Sequence, residues 1–225
     1  ARRLGADAAL NEIGMGASFL AQNAAKRSLT LDPKAEEGRA ALLRLIATSD
    51  AVVENFRPGV MERLGLGYEI LRETRGDIIY CAISGFGGDG PLSANPAYDQ
   101  VIQGYSGAMS VSGTTETGPM RAGFPISDTV GGLTAAFAIS AALFQRARTG
   151  EGRIIDVSML DSTLIAMGWV VSNYLIAGQT PVPMGNHNFT ASPSGTFRTG
   201  DGLLNIAANE QSQFETLCQI AGRND

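Results

Sequence analysis

Cysteine and histidine are almost missing from this chain. Its 225 residues hold two cysteines, Cys81 and Cys218, and one histidine, His187. Two distant cysteines without ligand-like neighbours exclude a disulfide framework and a zinc site. They read as small buried hydrophobes, in a reducing, cytoplasmic compartment. A Ser-His-Asp hydrolase would have to use His187, in the loop "MGNHNFTASPSG", and no G-x-S-x-G elbow occurs. No grouping of His, Cys and carboxylates points to a metal. A basic block is missing too: 17 Lys and Arg face 22 Asp and Glu, for a net charge of −5. That balance speaks against nucleic acid as a partner. An anionic ligand must then be held by local arginines, backbone N–H groups or helix ends. No signal peptide is visible in these residues, and no internal repeat or low-complexity segment is found. The apolar run 130–144 is shorter than the roughly 20 residues of a membrane span. The segment 159–178 is long enough but contains Asp161, Ser162, Thr163, Ser172 and Asn173. It reads as a buried helix, so no membrane partner is expected.

What is present is a globular composition, 44% hydrophobic and 17% charged, with length enough for a sizeable core. "RSLTLD" (27–32) reads as a short strand. The segment from Pro33 to Asp50 has apolar residues at helical spacing. "AVVENF" (51–56) reads as a strand, and "PGVMERLG…YEILRETRG" as a helical pattern interrupted at Gly65–Gly67. "DIIYCAIS" (77–84) is a further strand. This β-α-β-α-β alternation predicts an α/β fold with a parallel sheet covered on both faces. Beyond it lie a Gly/Pro-rich loop (85–99), a small-residue helix (129–147) with Gly150 as C-cap, a strand (152–159), and a buried helix (160–177). A turn-rich stretch, a strand at 203–208 and a final helix follow.

Several segments are candidates for chemistry. "GFGGDG" puts Gly85, Gly87 and Gly90 at G-x-G-x-x-G spacing. Pro91 and Pro96 follow in place of a helix, so a flexible loop is the preferred reading over a dinucleotide site. "ENFRPGVMERLG" (54–65) offers Asn55, the flat face of Phe56, and Arg57 and Arg63 as charge-assisted donors. Pro58 suits the first turn of a helix whose N-terminus favours an anion. This suits a ligand with an aromatic ring and phosphates, or else an ordinary strand-to-helix turn with solvated arginines. "GFPISDTVGGLTAAF" (123–137) places Asp128 before a helical run. Asp128 is either the N-cap of that helix or a nucleophile in a partly dry site. Gly131 and Gly132 lower helix propensity by about 1 kcal/mol each, a cost that close approach of another group would explain.

Taken together, "NAAKRSLTLD", "AVVENFRPGVMERLGLGYEIL", "IIYCAISGFGGDGPLSANPAYDQVIQGYSGAMS", "ISDTVGGLTAA", "RTGEGRIIDVSMLDS" and "SPSGTFRTGDG" resemble the class III CoA-transferases. That family includes formyl-CoA:oxalate, acetyl-CoA:oxalate, carnitine and citramalate CoA-transferases, with alpha-methylacyl-CoA racemase as a relative. The resemblance implies a Rossmann-like parallel sheet within an interlocked homodimer. It implies coenzyme A or an acyl-CoA as substrate, a small carboxylic acid as acceptor, and no tightly bound cofactor. Asp128 then matches the family's catalytic aspartate. Asn55, Phe56, Arg57 and Arg63 match its CoA-contacting turn, Leu31, Asp32, Pro33 and Lys34 a strand end beside the nucleotide, and Ala97, Tyr98 and Asp99 a loop near the thioester. The implied reaction is ping-pong, through an aspartyl mixed anhydride and an aspartyl-CoA thioester.

The racemase relatives carry a histidine where this chain has Tyr98, which favours transfer over racemisation. The alternatives are an acyl-CoA racemase or epimerase, and a non-catalytic CoA-binding module. A "GGGGQ"-type loop is not found, and Pro96 stands where some members have lysine. The resemblance divides the chain into most of a large Rossmann-like domain (1–150), a strand and linker helix (151–178), and the start of a small domain (179–225). It suggests a piece of a longer protein, with family segments expected before Ala1 and after Asp225.

Overall fold

The computed structural model describes residues 2–188 and 190–223. The chain divides into two compact units, Ala1–Leu42 and Leu43–Asp225.

In the first unit, α1 (Ala8–Glu12) and α2 (Ala17–Gln22) are short. Asp7 caps α1 by accepting the Leu10 N–H at 3.0 Å. The expected strand at 27–32 does not form; these residues have no regular secondary structure and no ladder partner, and Leu29 is largely exposed. Asp32 then closes a turn. Its carboxylate accepts the Lys34 N–H (3.0 Å) and its carbonyl the Ala35 N–H (3.2 Å). This turn leads into α3 (Glu36–Ile46).

The second unit is built on a parallel sheet of order β1-β2-β3, from Ala51–Glu54, Ile79–Ser84 and Arg153–Ser158. All three strands were expected from their β-branched runs. Alternate residues point to opposite faces. Cys81 and Ile83 of β2, with Ile155 and Val157 of β3, face the helix α7 (Ile126–Thr149) and pack on its Ala135 and Ile139. Burial pushes the Cys81 thiol up to about 11, so this cysteine is a core residue rather than a reactive one. On the other face, α4 (Val60–Arg63) and α5 (Tyr68–Thr74) follow β1, and the ring of Tyr68 lies 6.0 Å from that of Tyr80.

The helix α7 lies close to the sheet because its inward residues are small. Gly131, Ala135 and Ala142 are buried and share one stripe. Gly150, in the left-handed conformation at φ +74°, ends the helix as expected. At 24 residues α7 is long and apolar enough to cross a membrane, but it packs on β2, β3, α6 (Asp99–Tyr105) and α8 (Met159–Ala166) as a core helix of this layer. The single buried helix expected at 160–177 is instead two helices. α8 and α9 (Gly168–Ala177) meet at 82°, and no residue of α9 is buried. A two-stranded antiparallel ribbon, β4 (Ser194–Arg198) with β5 (Leu203–Ala207), and α10 (Gln211–Ile220) complete the described residues.

Candidate active site

All three parallel strands end on the same side. There the chain must leave the sheet, and the exits form a cavity of about 450 Å³. After β1, the Glu54 carboxylate accepts the Phe56 N–H at 2.6 Å and sets the turn. Asn55 donates its Nδ2 to the Ile83 carbonyl at 2.6 Å, tying the end of β1 to that of β2. Phe56, Arg57 and Pro58 then line the cavity. After β2, Ser84 and Gly85 form its floor. A methyl group on Gly85 would overlap the Ala97 side chain, so glycine here lets the returning loop close on the strand end. The glycine loop is held from below: the Gly88 N–H donates to Asp156 Oδ2 of β3 at 2.7 Å. No helix opens behind it, which rules out the dinucleotide reading and bears out the loop.

The fourth wall is the start of α7. The helix begins before the expected point, with Pro125 at the N-cap, so Asp128 is not its cap but the third residue of its first turn. The cap comes from a distant residue. Asp99, the first residue of α6, accepts the N–H groups of Ser127 (2.8 Å) and Asp128 (3.4 Å) through Oδ1. Asp128 is thereby left to face the cavity, one turn from Gly132, which lines it too. No methyl group at Gly132 would meet anything within 4 Å, whereas one at Gly131 would come 3.1 Å from Met159 Cγ. Of the two glycines, one gives room to the cavity and the other to packing.

Asp128 is the one carboxylate among the described residues lining the cavity, and no hydrogen bond from a described protein donor reaches it. Desolvation, and then the charge of Asp99, hold its pKa above the usual carboxylate value. Such a carboxylate is more basic than a free one and unencumbered by donors among the described residues.

Of the other expected site residues, Ala97 and Tyr98 line the cavity, with Tyr98 79% exposed. Asp99 does not; it is buried and engaged by the start of α7. Arg63 is exposed on α4, outside the cavity lining, and its guanidinium lies against Gly59. Leu31, Asp32, Pro33 and Lys34 belong to the turn of the first unit. His187 is exposed, with its ring edge-on to Phe197. The sequence reading missed Gln103, which is fully buried and donates to Asp99 Oδ2 at 2.6 Å. Its signal was available: in "DQVIQGY", Asp99 and Gln103 are four apart, on the same face of a helix.

The sequence model of CoA-transferase family III matches residues 1–225. The chain belongs to this family. Among curated relatives it is 40% identical over 206 residues to a succinate–glutarate CoA-transferase of Agrobacterium fabrum, covering 92% of this chain and 52% of the relative. It is 38% identical over 201 residues to an acetyl-CoA:oxalate CoA-transferase of Acetobacter aceti, covering 89% and 52%. Among solved structures, a CAIB/BAIF family protein from Brucella suis superposes with a TM-score of 0.83 at 39% identity, over 92% of this chain and 55% of that one. The chain thus spans about half the length of the family III relatives it matches.

Proposed function

We propose that the protein is a CoA-transferase in which Asp128 carries the acyl group and then CoA. The observation that carries this reading is an Asp128 carboxylate without donors among the described residues, at the wall of a cavity beyond the sheet's carboxyl edge. In the first step a carboxylate oxygen of Asp128 attacks the thioester carbonyl of an acyl-CoA. The C–S bond breaks, CoA leaves as thiolate, and a mixed anhydride remains. The thiolate attacks the Asp128 carbonyl carbon, releasing the donor acid and forming an aspartyl-CoA thioester. The acceptor carboxylate attacks that thioester carbonyl, breaking the C–S bond, expelling CoA thiolate and forming a second anhydride. The thiolate resolves it at the acceptor's carbonyl, giving the new acyl-CoA and free Asp128. Every step exchanges one acyl–heteroatom bond for another, so CoA serves as substrate and no redox cofactor is required.

Backbone N–H groups of the glycine loop are the candidate donors for the oxyanions. Phe56 and Arg57, in the cavity lining, meet the CoA moiety in this reading by ring contact and charge. Tyr98 at the cavity wall offers no second carboxylate or imidazole base, which favours transfer over two-base racemisation. The acceptor is proposed to be a small dicarboxylate such as oxalate or a C5 acid, in keeping with the relatives' names. We further propose a cytoplasmic homodimer. The free thiols of Cys81 and Cys218 fit a reducing compartment, and exposed apolar stripes on α7 and α9 fit burial against a second copy.

The test is acid exchange by the full-length protein, offered acetyl- or succinyl-CoA and a panel of acids and read by mass spectrometry. Asp128→Ala is expected to lower turnover by a factor on the order of 10⁴ or more. In wild type, hydroxylamine is expected to trap an adduct on the peptide containing Asp128. Undiminished turnover in Asp128→Ala would sink the assignment. CoA binding with no adduct and no exchange would leave a binding module.

A further inference from the structure

We propose that Asp99 and Gln103 form a positioning clamp that fixes the nucleophile, an inference that rests on Asp128 being that nucleophile. The clamp grips the segment 122–128 at both ends. Asp99 Oδ1 accepts the N–H groups of Ser127 (2.8 Å) and Asp128 (3.4 Å) at the start of α7. Gln103 Oε1 accepts the Ala122 N–H at 2.8 Å, and its Nε2 donates to Asp99 Oδ2 at 2.6 Å and reaches the Phe124 carbonyl at 3.5 Å. Both residues are buried, Asp99 at 8% and Gln103 at 1% exposure. Water therefore competes weakly for these bonds, and leaving one unmade is costly.

The network has a direction. A carboxylate only accepts, so Asp99 forces the Gln103 amide nitrogen toward itself. The amide oxygen is then the group left for Ala122. The carboxylate also takes up orphan N–H groups of α7 that would otherwise be free to bond the Asp128 side chain. Position and availability of the nucleophile are thus set by one buried pair that does not line the cavity. A positioning role of this kind is felt in turnover more than in substrate binding, because small displacements of a reacting group cost rate.

The directionality supplies the experiment, done in the full-length protein. In Asp99→Asn, the new amide nitrogen faces the Gln103 nitrogen. If Gln103 turns over to accept from it, Ala122 loses its acceptor. Turnover is expected to fall between about ten- and a hundredfold with KM for the acyl-CoA little changed. In the double variant Asp99→Asn/Gln103→Glu every bond can be remade. The amide at position 99 accepts from Ser127 through its oxygen and donates through its nitrogen to the carboxylate at position 103, which in turn accepts from Ala122. Turnover is expected to recover to within a few-fold of wild type.

The pH profile gives a second readout. The titratable or charged groups around Asp128 are Arg57 beyond β1, and Tyr98 and Asp99 at the start of α6; β2 contributes Ser84 and α8 contributes Met159, which do not titrate. Asp99 is the charge that raises Asp128, after desolvation. Moving that charge one helical turn away is expected to shift the acid limb of turnover to lower pH, while a purely structural rescue would leave it in place. Wild-type turnover in Asp99→Asn overturns the clamp, as does a folded double variant that stays as slow as the single one. Asp128→Asn, measured alongside, separates the two readings. If it keeps turnover, the nucleophile assignment fails. If it loses turnover while Asp99→Asn does not, only the clamp fails.

Discussion

Asp128 sits where its ionised form is least comfortable. Desolvation and the neighbouring Asp99 both favour the protonated acid, so its pKa in the folded chain is raised. The stability it contributes is therefore present below the ordinary carboxylate pKa and is lost as pH rises through the folded value. Above that raised value the ionised side chain is a net cost to the fold. Asp128→Asn is accordingly expected to melt no lower than wild type at pH 7. Any advantage should vanish below about pH 4, where both proteins are uncharged at this position. Thermal melts across that range check the sign. A variant that melts lower at neutral pH would show that Asp128 holds structure and not only chemistry. The glycines make a second residue-scale contrast. Gly85→Ala forces a methyl group into Ala97 and is expected to cost about 1–3 kcal/mol by overpacking. Gly132→Ala meets nothing within 4 Å and favours the helix by up to about 1 kcal/mol. Its methyl group, however, projects beside Asp128 in the cavity. Melting temperature should fall for Gly85→Ala, while acyl-CoA turnover should fall for Gly132→Ala without loss of stability.

At the scale of elements, the far end of α7 is tied down by charge where the near end is tied by Asp99. Arg146 Nη2 meets Asp50 Oδ1 at 2.8 Å, and its Nη1 donates to the Asp50 carbonyl at 3.1 Å. Arg75 meets the same Asp50 oxygen at 3.1 Å and Asp77 Oδ1 at 2.9 Å. Two arginines and two aspartates thus join the starts of β1 and β2 to the last turn of α7. Hydrogen bonds from Arg146 and Arg75 hold Asp50 and Asp77, respectively, below the usual carboxylate value. Stability from lowered carboxylates is present above the ordinary pKa and lost as pH falls through the depressed one. Arg146→Ala is expected to lower the melting temperature at pH 7. The gap to wild type should narrow in high salt, and again as pH falls below the ordinary carboxylate value and through the depressed ones, where wild type loses the same pairs. None of this network was legible in the sequence, because its members lie up to 96 residues apart. The strands were legible, since "AVVE", "IYCAIS" and "RIIDVS" are dense in apolar and β-branched residues that a buried parallel sheet favours. The stretch 27–32 has a similar look, but a strand needs a partner, and pairing is not a local property. The bend between α8 and α9 was hidden for the opposite reason: a run apolar all round has no face, so its period gives no warning of a break. At the site, Asp128 was legible as a candidate and its cap was misread. The local rule assigns the cap to the nearest acid, while the fold supplies it from 28 residues away.

The whole molecule leaves one helix in an unusual position. One stripe of α7 is buried in the sheet layer, yet Leu133, Phe137 and Phe144 lie on another at 65%, 78% and 66% exposure. These three recur at spacings of four and seven, so they form a continuous ridge. A helix apolar on both sides belongs in an interior. The same holds for α9, where Leu175 and Ile176 are 73% and 87% exposed. Burying a phenylalanine or leucine is worth roughly 1.5–3 kcal/mol, so the ridge on α7 alone could supply a large part of an association energy. If the cover is a second copy of the protein, one charge on the ridge should weaken assembly. Phe137→Lys in the full-length protein forfeits that burial and leaves an unpaired cation in an apolar contact, an expected loss of roughly a hundredfold or more in dimer affinity. Light scattering over a dilution series measures it. A wild type that stays monomeric at every concentration, with its fold and turnover intact, would end the homodimer proposal and assign the ridge to cover from the same polypeptide. A wild-type dimer that Phe137→Lys converts to monomer would place the ridge of the helix that carries Asp128 in the interface. Substrate turnover would then be expected to depend on protein concentration in that variant, because the helix that carries Asp128 would be completed only on assembly.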